Sequence, residues 1–315
     1  MEMHCNRCSR ECVLFTGSHV ELAKTRTSPE AIEVELVVLP LDSTKGIASV
    51  EGLREVLEQI SIFNRHHGAD YAIPVVILSA CSNVTGACQD MPSVSTLVHT
   101  FRGIIAWDCA AIAAHRKVDM NPVTHPEGYI DFAFISPHKL LGGPGTSGIL
   151  LCKKKRQTNS IPTICGGGTV EFVSSRGHYY ISDLEEREEA GTPDILGCIR
   201  AGAVYHIHTL LGIESIAEEE SRMASYLKEK LRGNSKIHIL GPKDRAHCAG
   251  IISFNILYNE NKTGHHHHGL YLHYNFVGCV LNDVFGIQAR GGCACAGPYG
   301  ETLLGLGGVN GERFE

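Results

Sequence analysis

The most informative stretch of this sequence runs from Asp131 to Lys154 and reads DFAFISPHKLLGGPGTSGILLCKK. Its apolar first half is typical of a buried strand, which ends in the tetrapeptide SPHK at residues 136–139 before three glycines and a proline turn the chain. A charge is costly in a buried position unless it is paired or has a chemical role. We therefore expect Lys139 to have a function at the end of this strand.

Strand-like and helix-like segments alternate over the first 210 residues. Apolar runs of strand length occupy residues 32–39, 74–79, 103–108, 129–136 and 147–152. One face of an intervening helix carries Val50, Leu53, Val56, Leu57 and Ile60. Continuous apolar runs are typical of strands that are covered on both faces. The pattern predicts a large α/β domain over residues 1–232, with a mainly parallel sheet wrapped by helices.

The pattern of predicted strands and helices changes after residue 232. Two helical patterns, at residues 196–211 and 213–231, lead up to this point. Beyond it the sequence predicts an amphipathic helix at residues 271–285. It also predicts three strands, at residues 237–240, 251–256 and 286–290. We expect a smaller α+β C-terminal domain over residues 233–315.

The bulk composition is that of an ordinary globular protein. The chain has 315 residues, 43% hydrophobic and 20% charged, with a net charge of −6 that gives no reason to expect a nucleic-acid partner. No apolar run is long enough to span a membrane. Thirteen cysteines without a secretion signal suggest free thiols in a reducing compartment. These features predict a cytoplasmic protein without a membrane segment.

Two clusters of cysteine and histidine invite comparison with metal sites. Cys5, Cys8 and Cys12 lack the second pair of ligands that a structural zinc site needs. The histidine run at residues 265–268 lies in a predicted exposed loop, where it would bind metals only adventitiously. We predict no functional metal site.

Polar side chains follow three of the predicted strands, at the point where each strand ends. They are Asn83, Asp108, and the group Ser136, His138 and Lys139. Ligands of an open α/β sheet bind at the carboxyl ends of its strands. A nucleophilic lysine amine and a carboxylate that protonates a pyridine nitrogen are the pair that pyridoxal phosphate requires. Each residue alone also has an ordinary structural explanation, as a turn, a helix cap or a surface lysine.

Five motifs occur in an order and spacing that resembles the class V aminotransferase family, and within it the cysteine desulfurase and selenocysteine lyase branch. They are SACSNVTG, WDCAAIAAHRKVDM, SPHKLLGGPGTSGILL, EEAGTP and ARGGCACAGP. The resemblance covers nearly the whole chain and implies the type I fold of enzymes that use pyridoxal 5′-phosphate.

The resemblance also implies a role for each matching residue. Lys139 would carry the cofactor as a Schiff base, and Asp108 would pair with the pyridinium nitrogen. Asn83 would lie near the ring hydroxyl, and Ser136 and His138 would contact the phosphate or the ring. Two further residues, Gly166 and Thr192, would reach the phosphate of a neighbouring subunit, which implies a homodimer.

The segment at residues 290–295 separates the branches of this family. By resemblance, Arg290 approaches the substrate carboxylate and Cys295 is the nucleophile, with Cys293 as an extra thiol nearby. The implied reaction converts L-cysteine into L-alanine and leaves a persulfide on the enzyme for a sulfur-acceptor protein. A nearby arginine favours the thiolate form of a cysteine. The alternatives are a structural C-x-C pair and an aminotransferase or epimerase activity.

The sequence departs from the family pattern in three places. After Ser18 the helix that anchors the phosphate, and the histidine that stacks on the ring, have no counterpart. Ala111 replaces a glutamine that reaches the ring hydroxyl. The sequence ends at Glu315, before a second carboxylate-binding arginine. These departures predict an incomplete chain with weakened cofactor binding, and they leave open a catalytically dead homologue.

Overall fold

The structure is a computed structural model that describes residues 10–15, 35–68, 72–245, 247–259, 270–292 and 294–305. For residues 10–15 it gives the backbone alone. Four features of the sequence lie outside the described residues: the departure after Ser18, the histidine run, Cys293, and the first two cysteines of the Cys5–Cys12 cluster.

The described residues form thirteen strands and seven α-helices. The strands are β1 (Arg10–Phe15), β2 (Glu35–Val38), β3 (Leu41–Asp42), β4 (Ile47–Ala48), β5 (Ala72–Ser79), β6 (Ile104–Asp108), β7 (Phe132–Ile135), β8 (Ile149–Cys152), β9 (Val170–Ser174), β10 (Gly177–Tyr180), β11 (Ile237–Ile239), β12 (Phe254–Asn259) and β13 (Leu270–Tyr271). The helices are α1 (Val50–His67), α2 (Met91–Thr100), α3 (Leu184–Glu188), α4 (Ile195–Leu211), α5 (Ile213–Arg232), α6 (Tyr274–Phe285) and α7 (Gly297–Leu304).

The central sheet has six strands in the order β2-β1-β5-β6-β7-β8. All neighbouring strands are parallel except β7 and β8, which are antiparallel. The prediction of a mainly parallel sheet is therefore confirmed. The expectation that β8 is covered on both faces is wrong. It is an edge strand, and Leu150 is 53% exposed beside its partner Phe134, which is 42% exposed.

Helix α1 covers the sheet with the face that the sequence predicts. Leu53, Leu57 and Ile60 are buried, and the side chain of Ser49 caps the helix by accepting a hydrogen bond from the Gly52 amide. In the same core, Trp107 is fully buried and donates a hydrogen bond to the Ser95 hydroxyl at 3.0 Å. This core fixes the strands whose ends carry the candidate site.

The C-terminal part contains the antiparallel sheet β11-β12-β13 and helices α6 and α7. The predicted helix is confirmed as α6, but the predicted strand at residues 286–290 is wrong. Gly286 ends α6 in the left-handed conformation, with φ of 65°, and the chain then continues without a paired strand. The hairpin of β9 and β10 was not predicted from the sequence. The domain boundary after residue 232 stays a prediction.

Candidate active site

Three neighbouring parallel strands of the central sheet bring their carboxyl ends to one edge. Ser79 of β5 pairs with Asp108 of β6, which in turn pairs with Phe134 of β7. Asn83 follows β5 by four residues, and the turn Pro137–Lys139 follows β7. The structure thus places the polar groups that the sequence singles out at adjacent strand ends, where α/β proteins bind their ligands.

Asp108 ends β6 with a half-buried carboxylate. Its Oδ1 accepts a hydrogen bond from the Ala110 amide at 2.8 Å, which orients the group. Burial, helped by the charge of Asp108, raises the pKa of the Cys109 thiol to about 12, so this cysteine is a neutral core residue. Ala111, at the position where the family has glutamine, packs its methyl group against the core.

Lys139 lies on a 3₁₀ turn, Pro137–Lys139, that begins at Ser136. The Lys139 amide donates to the Ser136 carbonyl at 3.1 Å, and the Leu140 amide donates to the Pro137 carbonyl at 3.0 Å. Because Pro137 and Leu140 occupy the buried positions of this turn, His138 and Lys139 between them are exposed. The expectation that Lys139 lies in a partly buried site is therefore wrong for this chain.

Two features stabilise the Pro137–Lys139 turn and the loop that follows it. A Cβ on Gly143 would lie 2.1 Å from the Pro137 carbonyl oxygen, so only glycine lets the following loop fold back this closely. His208 of α4 is buried and its Nε2 accepts a hydrogen bond from the Leu141 amide at 3.4 Å. His208 was not predicted from the sequence, because nothing in its local motif distinguishes it from His206, the other histidine of α4.

The thiol loop, defined as residues 290–292 and 294–296, reaches the same edge of the sheet. The Arg290 guanidinium donates a hydrogen bond to the Cys295 sulfur, with 3.2 Å between Nη2 and Sγ. The Asn83 side-chain amide donates to the Ala294 carbonyl at 2.6 Å. These two contacts thus link Asn83, from one sequence motif, to the segment that carries Arg290 and Cys295, from another.

A pocket of about 850 Å³ adjoins this edge. Ser79 and Asn83 line it on the side of the large sheet, and Ala296 and Tyr299 line it on the side of α7. Its volume is in the range of small-molecule sites. Gln89 also lines it, and the Oε1 of Gln89 is buried without a hydrogen-bond partner in the described part of the chain.

Tyr299 holds the pocket wall in place. Its hydroxyl donates to the Gly46 carbonyl at 2.8 Å and lies 3.2 Å from the Thr85 hydroxyl. Burial raises the pKa of Tyr299, so the phenol stays protonated and can donate. Neither Gln89 nor Tyr299 could be predicted from a local motif, because their hydrogen-bond partners are distant in the sequence.

Gly166 and Thr192 lie in a separate, exposed part of the chain. The Gly166 carbonyl accepts a hydrogen bond from the Thr169 hydroxyl at 2.7 Å, and the Gly167 carbonyl accepts one from the Gly191 amide at 2.7 Å. These bonds bring the two predicted residues into one surface cluster. Among the described contacts, none joins this cluster to Asn83, Asp108 or Lys139.

Comparison with known proteins places this geometry in a family. Residues 49–309 match the sequence model of the family described as aminotransferase class-V. The chain is 30% identical over 229 residues to a probable cysteine desulfurase of Methanothermobacter thermautotrophicus, covering 73% of this chain and 52% of that protein. It is 29% identical over 285 residues to a cysteine desulfurase of Pectobacterium carotovorum, covering 90% and 61%. The chain thus spans about half to three fifths of the length of these relatives.

Solved structures agree on the fold. An apo cysteine desulfurase from Thermococcus onnurineus is 24% identical, with a TM-score of 0.75 over 94% of this chain and 66% of that one. A cysteine desulfurase from Escherichia coli is 23% identical, with a TM-score of 0.70 over 94% and 65%. The predicted α/β architecture of the type I fold is confirmed, and the chain belongs to the class V aminotransferase family.

Proposed function

We propose that this chain carries a cysteine desulfurase activity, in which L-cysteine becomes L-alanine and its sulfur is left as a persulfide on Cys295. The observation that carries this proposal is the 3.2 Å contact between Arg290 Nη2 and Cys295 Sγ, on a loop that Asn83 ties to the end of β5. The names of the matched relatives support the same reaction.

Pyridoxal phosphate is the cofactor that fits the residues at this edge. The half-buried carboxylate of Asp108 ends β6, and the exposed amine of Lys139 follows the adjacent strand β7. The turn that follows Asp108 contacts the turn that carries Lys139. We assign Lys139 to the covalent bond and Asp108 to the pyridine nitrogen. We assign Asn83 to the ring hydroxyl, and Ser136 and His138 to the phosphate or ring. When bound, this cofactor supplies an electron sink for the carbanion next to the amino group.

In the proposed reaction, three side chains of the protein have separate roles. The Nζ of Lys139 removes the α-proton of the substrate. The Cys295 thiolate attacks the substrate sulfur, so that an S–S bond forms as the C–S bond breaks and the β-carbon takes a proton. The remaining donors of Arg290 orient the substrate carboxylate, since a guanidinium has five N–H groups and one suffices for Cys295. Cysteine and the enzyme thiol thus become alanine and an enzyme persulfide, without loss of atoms.

The partners we propose are a second copy of this chain and a protein thiol that accepts the sulfur. Gly166 and Thr192 form an exposed cluster that none of the described hydrogen bonds joins to Lys139, as expected of residues that serve a neighbouring subunit. For the location we propose the cytoplasm, because the nine cysteines whose side chains the structure describes are free thiols. Within the described residues, no helix has the length and apolar character needed to cross a membrane.

The test uses the purified chain with pyridoxal phosphate, L-cysteine and a reductant. We expect alanine and sulfide in equal amounts, and we expect Cys295→Ser to reduce both at least 100-fold, on the order of the loss of a catalytic nucleophile. The same variant should keep the visible absorbance of the bound cofactor. Cys293→Ser is the matched control and should retain most of the activity.

Three outcomes would contradict the proposal. If Cys295→Ser releases sulfide at the original rate while Cys293→Ser does not, the nucleophile is misassigned. If neither change matters and the chain passes its amino group to a keto acid, it is an aminotransferase. A chain that binds the cofactor but turns over no amino acid is the inactive homologue.

A further inference from the structure

Cys81 and Cys88 face each other across a short antiparallel bridge at the base of the loop that carries Asn83. The Ser82 amide donates to the Ala87 carbonyl at 2.8 Å, and the Gln89 amide donates to the Ala80 carbonyl at 2.9 Å. These flanking bonds make Cys81 and Cys88 a non-hydrogen-bonded pair, in which Cα atoms lie about 4.5 Å apart and side chains approach closely. That separation is within the range that a disulfide can span, about 4.4–6.8 Å.

The two sulfurs also converge on one atom. Cys81 Sγ lies 3.4 Å from the Gly86 carbonyl oxygen, and Cys88 Sγ lies 3.3 Å from the same oxygen. A third cysteine, Cys248, pairs with Ala87 instead. Because successive residues of a strand point to opposite faces, Cys248 shares a face with Ala87 and not with Cys88. The local geometry therefore selects Cys81 as the partner of Cys88.

The two thiols differ in access and charge. Cys81 is buried, 3% exposed, whereas Cys88 is partly exposed. A hydrogen bond from Cys81, assisted by the positive charges of Arg116 and Arg245, lowers the pKa of Cys88 to about 7 against the effect of burial. The same hydrogen bond and burial raise the pKa of Cys81. Cys88 is thus the thiol that ionises, and Cys81 stays protonated beside it.

We propose that Cys81 and Cys88 form a peroxide-sensitive dithiol, in which Cys88 is oxidised first and Cys81 then closes a disulfide. This site is separate from Cys295 and does not depend on the proposed desulfurase activity. It lies beneath the loop through which Asn83 holds the thiol loop.

The reaction balances with hydrogen peroxide as the only co-reactant. The Cys88 thiolate attacks one peroxide oxygen, the O–O bond breaks, and hydroxide leaves, so that Cys88 becomes a sulfenic acid. The Cys81 sulfur then attacks the Cys88 sulfur, an S–S bond forms, the S–O bond breaks, and the oxygen leaves as water with the Cys81 proton. The two thiols lose two hydrogens, and the peroxide is reduced to water.

The sequence offers a direct readout of this disulfide. Trypsin releases residues 66–102 as one peptide, which contains Cys81 and Cys88 and no other cysteine. The full-length protein is treated with hydrogen peroxide, unfolded, alkylated with iodoacetamide and digested. We expect this peptide to lose the mass of two hydrogen atoms and to carry no alkyl group, and prior treatment with dithiothreitol should restore two alkyl groups.

Two variants separate a specific pair from general oxidation. Cys88→Ser should leave Cys81 fully alkylated after peroxide, and Cys248→Ser should leave the disulfide unchanged. If Cys88→Ser fails to fold, as judged by circular dichroism, Cys88→Ala is used in its place. Peroxide-treated wild type that stays doubly alkylated in residues 66–102 overturns the proposal. So does a disulfide that joins this peptide to residues 246–262, which contain Cys248.

Discussion

At the scale of single residues, the position of the Cys295 sulfur depends on the local backbone conformation as well as on the contact with Arg290. Ala294 and Cys295 both have positive φ, at 50° and 60°, which costs a residue with a side chain about 1–2 kcal/mol. The Asn83 amide holds Ala294 in this conformation and offsets part of that cost. Strain of this kind is concentrated at functional sites, where it sets the position of a reacting group.

Arg290→Ala should lower the rate at which iodoacetamide alkylates Cys295 at neutral pH, by about three- to fivefold. The guanidinium donates a hydrogen bond to the sulfur, and the positive charge beside the sulfur favours its attack on the alkylating reagent. The rate is followed by mass spectrometry in a Cys293→Ser background. Exposed Cys279 serves as the internal control and should react equally in both proteins. An unchanged rate at Cys295 would show that the arginine does not act on this thiol.

Lys139→Ala should abolish the covalent attachment of pyridoxal phosphate while leaving the far-ultraviolet circular dichroism unchanged. Only an amine can form the covalent bond, and the exposed Lys139 side chain contributes little to the fold. Borohydride reduction followed by peptide mapping should label Lys139 in the wild type. Lys230→Ala, a change on α5, is the control and should keep the label. A label that persists on another lysine of Lys139→Ala would refute the assignment.

At the scale of secondary-structure elements, a buried ionic network joins β6, β7 and α2 at the edge opposite the site. Asp131 is fully buried and accepts hydrogen bonds from His99 Nε2 at 2.9 Å, Arg156 Nε at 2.7 Å and the Ile105 amide at 3.1 Å. Burial alone would raise the pKa of Asp131, but these bonds outweigh it and the pKa is lowered from its ordinary value of 3.8. The carboxylate therefore stabilises the fold as an ion.

The pH dependence of stability should reveal this network. Because the folded pKa lies below the unfolded one, the contribution of Asp131 is complete above pH 3.8 and is lost as the pH falls through the folded pKa. Asp131→Asn should lower the free energy of unfolding at pH 7 by about 3 kcal/mol, since Arg156 loses its buried anion. It should also flatten the decline below pH 4.

Urea titrations at several pH values measure both effects. Asp183→Asn is the control. Asp183 caps an exposed helix and its pKa is also lowered, but its substitution should leave the contribution of Asp131 to the free energy of unfolding unchanged. Equal pH profiles of Asp131→Asn and the wild type would contradict this account.

The features that could be predicted from the sequence are those that depend on residues close together in the chain. Helix α1 and the parallel strands were predictable because their periodicity and apolar runs are local signals. The residues at the strand ends followed from the geometry of parallel sheets. The contact of Asn83 with Ala294 spans 211 residues, and the bond of Tyr299 to Gly46 spans 253, so no local pattern indicates either one. The strand expected at residues 286–290 fails because an apolar run forms a strand only beside a partner.

At the scale of the whole molecule, helix α4 is apolar on more than one side. One face, with Ala201, Val204 and His208, is buried beside the loop that follows Lys139. The remaining faces expose apolar side chains, which are Ile195, Leu196, Ile199, Ile207, Leu210 and Leu211. A helix that is apolar all round is normally buried in the assembled protein. We infer that a second copy of the chain covers α4, next to the proposed cofactor lysine.

Ile199→Glu should therefore convert a dimer into a monomer. Ile199 is 64% exposed in the single chain, so the change causes no loss of core packing. In the dimer it would bury an unpaired carboxylate at the interface, which costs several kcal/mol and should weaken association at least about 100-fold. Sedimentation velocity measures the assembly state, and Glu218→Gln on the exposed side of α5 is the control that should stay dimeric. If the wild type sediments as a monomer at every concentration, or if Ile199→Glu remains dimeric, the copies do not meet at α4, and Lys139 is not next to an interface.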